Sequence, residues 1–147
     1  MQHLAASIDY LLYALVALTF AVIIYKGAIL YAPGLAGMKA PASADKADID
    51  EHVETLENGM ALLAVMASAA PFVGLAGTVL HIMQALSRLS SAAIDITLIS
   101  GPIATALNST LVGLCAAVPA LVAYNLMQRR IQVLHNRLLR AANEEAR

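Results

Sequence analysis

The stretch NGMALLAVMASAAPFVGLAGTVLHIMQALS, residues 58–87, contains no Asp, Glu, Lys or Arg. After a connection whose only charges are Arg88 and Asp95, ITLISGPIATALNSTLVGLCAAVPALVAYNLMQ, residues 96–128, repeats that property. A membrane-spanning helix needs about 20 mostly apolar residues at about 1.5 Å rise each. The two runs therefore predict a helical hairpin through a bilayer. Pro71, Pro102 and Pro119 fall inside it. Each would be costly in a soluble helix, but spanning helices tolerate Pro where neighbouring helices satisfy the freed carbonyls, so these prolines predict kinks and close neighbours.

Upstream lies a third apolar run, residues 8–32, interrupted by Lys26, whose long stem can snorkel from near a helix end. Tyr10 and Tyr13 mark one interface and Tyr25 and Tyr31 the other. A secretory signal peptide opens with a positive flank; this flank has no Lys or Arg and carries Asp9, which predicts an uncleaved span. The composition agrees: of 147 residues, 60% are hydrophobic and 13% charged, too apolar for a soluble domain. Nine Lys and Arg nearly balance ten Asp and Glu, so net charge identifies no partner, and nucleic acid is not suggested. Cys115 is the only cysteine, which excludes a disulfide framework or a Cys-based metal site within one chain.

The expected fold is an all-α integral membrane protein with three transmembrane helices at 8–32, 60–87 and 96–128. They are joined by a loop at 33–59 and a turn at 88–95, and followed by a basic helical tail at 129–147. The loop carries Lys39 and Lys46 and the tail five Arg, whereas the N-terminal flank has no Lys or Arg and the turn only Arg88. The positive-inside rule then puts loop and tail in the cytoplasm and the N-terminus outside. The loop opens with Pro33, Gly34, Gly37 and Pro41 and turns acidic, with Ile49, Val53 and Leu56 at helical spacing. Asp48 and Glu51 resemble a capping box with Asp48 as the cap. Residues 45–57 hold six acids and one Lys, and residues 129–140 hold four Arg around Ile131, Leu134 and Leu138, so the two segments are expected to pair.

Hairpin residues sort into arcs at about 100° per residue. In the third span Leu107, Leu111, Leu114 and Val118 form a stripe suited to lipid. Ala106, Gly113, Ala117 and Ala120 form a stripe suited to close helix contact, and Thr105, Asn108 and Ser109 make a polar arc. In the second span Ala67, Ala70, Gly74, Gly77, Thr78, His81 and Ala85 oppose Phe72, Leu75, Val79, Ile82 and Leu86. Polar groups in hydrocarbon need partners. For one hydroxyl a bond to the neighbouring helix suffices; two polar arcs on adjacent spans favour an axial cavity, which only several copies in a ring could enclose. His81 reads as a neutral, hydrogen-bonded packing residue, with a proton relay as the alternative. Cys115 reads as packing. No Ser/His/carboxylate set, metal cluster or phosphate loop occurs at credible spacing, so neither an enzyme nor a cofactor is expected.

The runs LAVMASAAPFVGLAGTV, residues 63–79, and IATALNSTLVGLCAAVPALVAYN, residues 103–125, resemble the ExbB, TolQ and MotA proton-channel family, closest to ExbB, over residues 60 to about 139. The resemblance implies a bacterial inner-membrane ring, a pentamer in ExbB. The second and third helices would surround the membrane helices of a single-span, ExbD-like partner, with protons as coupling ion. Through a TonB-like protein, such an assembly energises outer-membrane uptake of siderophores or vitamin B12. The family's pore-facing threonines correspond to Thr78 and Thr110. Where many relatives carry a glutamate this chain has Thr105, which either shifts the proton-accepting carboxylate to the partner or marks a divergent member with another cargo. The short first loop resembles a compact ExbB variant and disfavours TolQ. The competing classes are a TolQ- or MotA-like stator for another envelope process, a non-conducting membrane scaffold, and a solute transporter, the last opposed by the lack of an inverted repeat.

Overall fold

A computed structural model describes residues 2–30, 46–89 and 97–145. They form four helices: α1 (Gln2–Leu30), α2 (Lys46–Glu57), α3 (Met60–Leu89) and α4 (Thr97–Glu145). Three of these are long and apolar enough to cross a membrane. The loop-opening residues Pro33, Gly34, Gly37, Lys39 and Pro41, Tyr31 at the first span's end, and turn residues 90–96 lie outside the described residues.

Helix α1 starts six residues before the apolar run. Helix α4 continues unbroken through residue 128, so the third span and the tail are one rod of 49 residues, about 73 Å long at 1.5 Å per residue. Pro71 lies within α3, and Pro102 and Pro119 within α4, without ending either helix. Helix α2 begins at Lys46; the capping box expected at Asp48 and Glu51 rests on the Asp48 side chain, which lies outside the described residues.

Helices α3 and α4 form the hairpin, and α1 lies along it. Packing in a membrane comes from close contact rather than from escape from water, and the seam is built for closeness. A Cβ added to Gly74 would lie 2.9 Å from the Ser109 carbonyl oxygen and 3.2 Å from the Gly113 Cα. One added to Gly113 would lie 2.8 Å from the Ala70 carbonyl oxygen and 3.0 Å from the Gly74 Cα. Only hydrogen fits at either position. Ala70, Ala116 and Ala117 continue the seam, with Leu15 and Val16 of α1 laid against them.

Toward the other end the bundle widens into a larger apolar core. Leu30, Val53, Met60, Leu63 and Met66 pack there with Ala120, Ala123, Met127 and Ile131. This core holds α2 against the extension of α4: Ile49 and Val53 on α2 and Ile131 and Leu138 on α4 are buried. The expected acidic-to-basic pairing includes a contact to a histidine, with His135 Nε2 3.1 Å from Asp50 Oδ1. Lys26 does not snorkel. It is 8% exposed, and its ammonium donates to the Leu56 carbonyl at 3.3 Å, where a cation is favoured beside the last carbonyls of a helix. Gly59, at φ 82°, turns the chain from α2 into α3, and its missing side chain leaves room for the Lys26 stem.

Two outcomes follow. Gly74→Ala or Gly113→Ala forces backbone apart and should destabilise the detergent-solubilised protein by about 1–3 kcal/mol. Gly27→Ala, where an added Cβ meets nothing within 4 Å, should not; equal thermal midpoints for all three would contradict this packing. At the α2–α4 contact, cysteines replacing Asp50 and His135 in a Cys115→Ser chain should be joined by a short bismaleimide, whereas no crosslink would deny the contact. His135→Ala alone should cost less than about 1 kcal/mol, since the pair is exposed.

Candidate functional site

The polar residues of the hairpin divide between the two edges of the Gly74–Gly113 seam. Thr78 lies about 100° round α3 from Gly77, and Thr110 about 100° round α4 from Ser109. Thr78 Oγ1 is 3.1 Å from the Gly74 carbonyl oxygen and 3.3 Å from that of Ala106, to which its proton is donated. The Thr110 hydroxyl bonds to the Thr78 hydroxyl. Both threonines are half-buried. A β-branched residue in a helix returns its hydroxyl to the carbonyl four positions back. Here the seam is so narrow that the hydroxyl also reaches the opposite helix.

On the other edge lies α1. An added Gly77 Cβ would approach the Ser109 Cβ at 2.9 Å and the Ile8 Cγ2 at 3.2 Å, so three helices meet there. Ser109, 2% exposed, donates to Asp9 Oδ1 at 3.0 Å. His81, 8% exposed, holds Nδ1 2.8 Å from the Gly77 carbonyl oxygen and Nε2 3.3 Å from Asp9 Oδ2. Further along, Thr19 is buried between its own Leu15 carbonyl at 2.8 Å and the Met66 sulfur at 3.3 Å.

The expected polar set is thus not one surface. Thr78 and Thr110 come together. Ser109 is enclosed within the chain with His81 and Asp9, because α1 covers that edge. Thr105 and Asn108 are exposed, and Thr105 bonds only to the Gly101 carbonyl of its own helix at 3.1 Å; five residues from Thr110, it lies about 140° away round α4. Gly74, Gly77, Gly113 and Ala117 sit in helix contacts. The stripe Leu107, Leu111, Leu114 and Val118 is exposed, as are Phe72, Leu75, Val79, Ile82 and Leu86. Cys115 is exposed rather than packed. Among the described residues no group of His, Cys, Asp or Glu could hold a metal ion.

Sequence reasoning missed Asp9, taking it as a flank charge. The signal was available: Asp9 and His81 are opposite in charge capacity and sit at matching depths near the same end of antiparallel spans, each costly alone in hydrocarbon.

Fold and site together define an integral membrane protein whose spanning hairpin is held by glycine contacts and carries an intramembrane hydroxyl pair. Residues 35–139 match the model of the MotA/TolQ/ExbB proton channel family, and the chain belongs to that family, whose members reside in the inner membrane. It is 40% identical over 87 residues to the Tol-Pal system protein TolQ of Haemophilus influenzae, covering 58% of this chain and 38% of that protein. It is 43% identical over 77 residues to the biopolymer transport protein ExbB of Neisseria gonorrhoeae, 52% of this chain and 35% of that one. A putative ExbB-like protein of Helicobacter pylori is 42% identical over 80 residues, 54% and 53% of the two chains. The chain spans between about a third and a half of the length of these relatives.

Proposed function

We propose that the chain is the channel-forming subunit of an inner-membrane motor driven by the proton-motive force. Copies assemble as a ring, a pentamer, with N-termini outside and C-termini in the cytoplasm, around a single-span, ExbD-like partner. The observation that carries this reading is the Thr78–Thr110 pair: two hydroxyls at hydrocarbon depth, on the edge of the seam that α1 leaves uncovered. Thr105 and Asn108 supply further polar groups that a neighbouring copy or a wet cavity would satisfy. The exposed leucine stripe faces lipid or the next copy. Family membership supports protons as the coupling ion, and no other cofactor is invoked.

Residues 58–87 and 96–128 hold no Asp or Glu, and Asp9 lies on the covered edge against His81 and Ser109, away from the Thr78–Thr110 pair; the proton-accepting carboxylate of the pathway is therefore assigned to the partner. A threonine hydroxyl turned toward it would hydrogen-bond and favour its charged form. Protonation removes that preference, and each charge crossing the membrane releases about 2.3 kcal/mol per 100 mV. Alternating charged and neutral states shift the partner against the hydroxyl-lined wall.

The output assigned is ExbB-like: through a TonB-like protein, uptake of siderophores or vitamin B12 at the outer membrane. A TolQ-like role in the envelope is the second reading, favoured by the 40% identity to a TolQ protein. Deleting the gene in its host separates the two, since an uptake energiser loses growth on ferric siderophores and a TolQ-type stator loses resistance to detergent.

Thr78→Val and Thr105→Val should each reduce energised transport several-fold while leaving the ring intact, because a methyl replaces the hydroxyl at nearly constant volume. Proton flux should be low in vesicles holding this chain alone and rise when the partner is added. Equal flux in both, abolished by His81→Ala, would place the proton carrier in this chain and sink the assignment to the partner.

A further inference from the structure

Asp9, His81 and Ser109 join three helices on the edge of the seam that the proposed pathway does not use. The hydrogen-bond count at this cluster calls for a proton between two of its side chains. The Gly77 carbonyl oxygen can only accept, so Nδ1 of His81, 2.8 Å away, carries a proton. The second ring nitrogen, Nε2, is 3.3 Å from Asp9 Oδ2. Were that nitrogen bare and the carboxyl ionised, two lone pairs would face each other at the buried His81 ring, so a proton lies between the two groups. Asp9 already accepts the Ser109 hydroxyl on its other oxygen at 3.0 Å, which favours the ionised carboxyl and puts that proton on Nε2.

From this geometry we infer that Asp9 and His81 form a proton-binding site within the chain, occupied as an imidazolium–carboxylate pair with Ser109 as the second donor to the carboxylate. Binding adds one proton to Nε2 and breaks no other bond. The occupied pair has no net charge, which suits hydrocarbon, and it fastens α1 to the hairpin. Emptying it leaves a carboxylate opposed to a lone pair and loosens that attachment. Asp9 is the entrance: its side chain keeps 33% of its surface, whereas that of His81 keeps 9%, so protons exchange along the α1 flank and not through the Thr78–Thr110 edge.

Helix α4 contributes Ser109 and the Thr105 carbonyl oxygen, 3.4 Å from the Ser109 hydroxyl, and no charge between Thr97 and Gln128. Helix α3 contributes His81 and the Gly77 carbonyl, and α1 contributes Asp9; among the described side chains no other charged group faces the cluster.

The site stands apart from the motor reading, because its test needs neither a partner nor flux. The full chain, labelled with 15N-histidine and reconstituted in lipid vesicles at pH 7, is examined by solid-state NMR. His81→Gln identifies the His81 signals among the four histidines. Both ring nitrogens of His81 should carry a proton in the unaltered chain, and Asp9→Asn should remove the proton from Nε2. A bare Nε2 in the unaltered chain, or both N–H signals retained in Asp9→Asn, overturns the proposal. If Asp9→Asn fails to insert, the spectrum of the unaltered chain alone decides.

Discussion

The structure depends on one steric fact: at Gly74 and Gly113 the backbones of α3 and α4 touch. In lipid no hydrophobic force pulls two apolar helices together, so association rests on dispersion and short polar contacts, both of which need close approach. The glycine pair supplies it. Because the axes are so near, Thr78 reaches the carbonyl of Ala106 on the opposite helix, and Ser109 sits directly against Gly77. A seam wider by one methyl would lose both. The register of every other polar contact in the hairpin is set by this meeting point.

Its second consequence is a division of labour. A narrow seam has two edges, and α1 covers one of them. Buried polar groups on the covered edge must be satisfied inside the chain, and they are: Ser109 by Asp9, His81 by Gly77 and Asp9, Thr19 by Leu15. On the uncovered edge the Thr78–Thr110 pair keeps part of its surface and is free to meet something from outside. The covered edge holds the chain's own three helices together, and the open edge presents polar groups to its surroundings. At the far end Lys26 follows the same logic: its charge, too costly to bury alone, is set against the final turn of α2.

The spans were legible because they are long, uncharged runs, and bilayer thickness converts such a run directly into a helix. The close-contact role of Gly74, Gly77 and Gly113 was legible from spacing on one helical face. Ser109 was not, because the wheel groups it with Thr105 and Asn108, and only the position of α1 separates a covered residue from exposed ones 40–100° away. Asp9 was legible only by comparing depths across two spans. It lies at the edge of an apolar run, where a charge looks interfacial, and its partner is 72 residues distant. Lys26 resembled a snorkelling residue because nothing local indicates that α2 ends beside it.

By itself, then, the sequence determined that this protein lives in a membrane, how many times it crosses and which residues allow its helices to touch. These are properties of single helices, set by length, charge and side-chain size. Tertiary structure alone decided which polar residues are enclosed and which remain open, that Asp9 meets His81, and that Lys26 meets the last turn of α2. Each depends on where a third helix lies against a pair, and no periodicity within one helix contains that information.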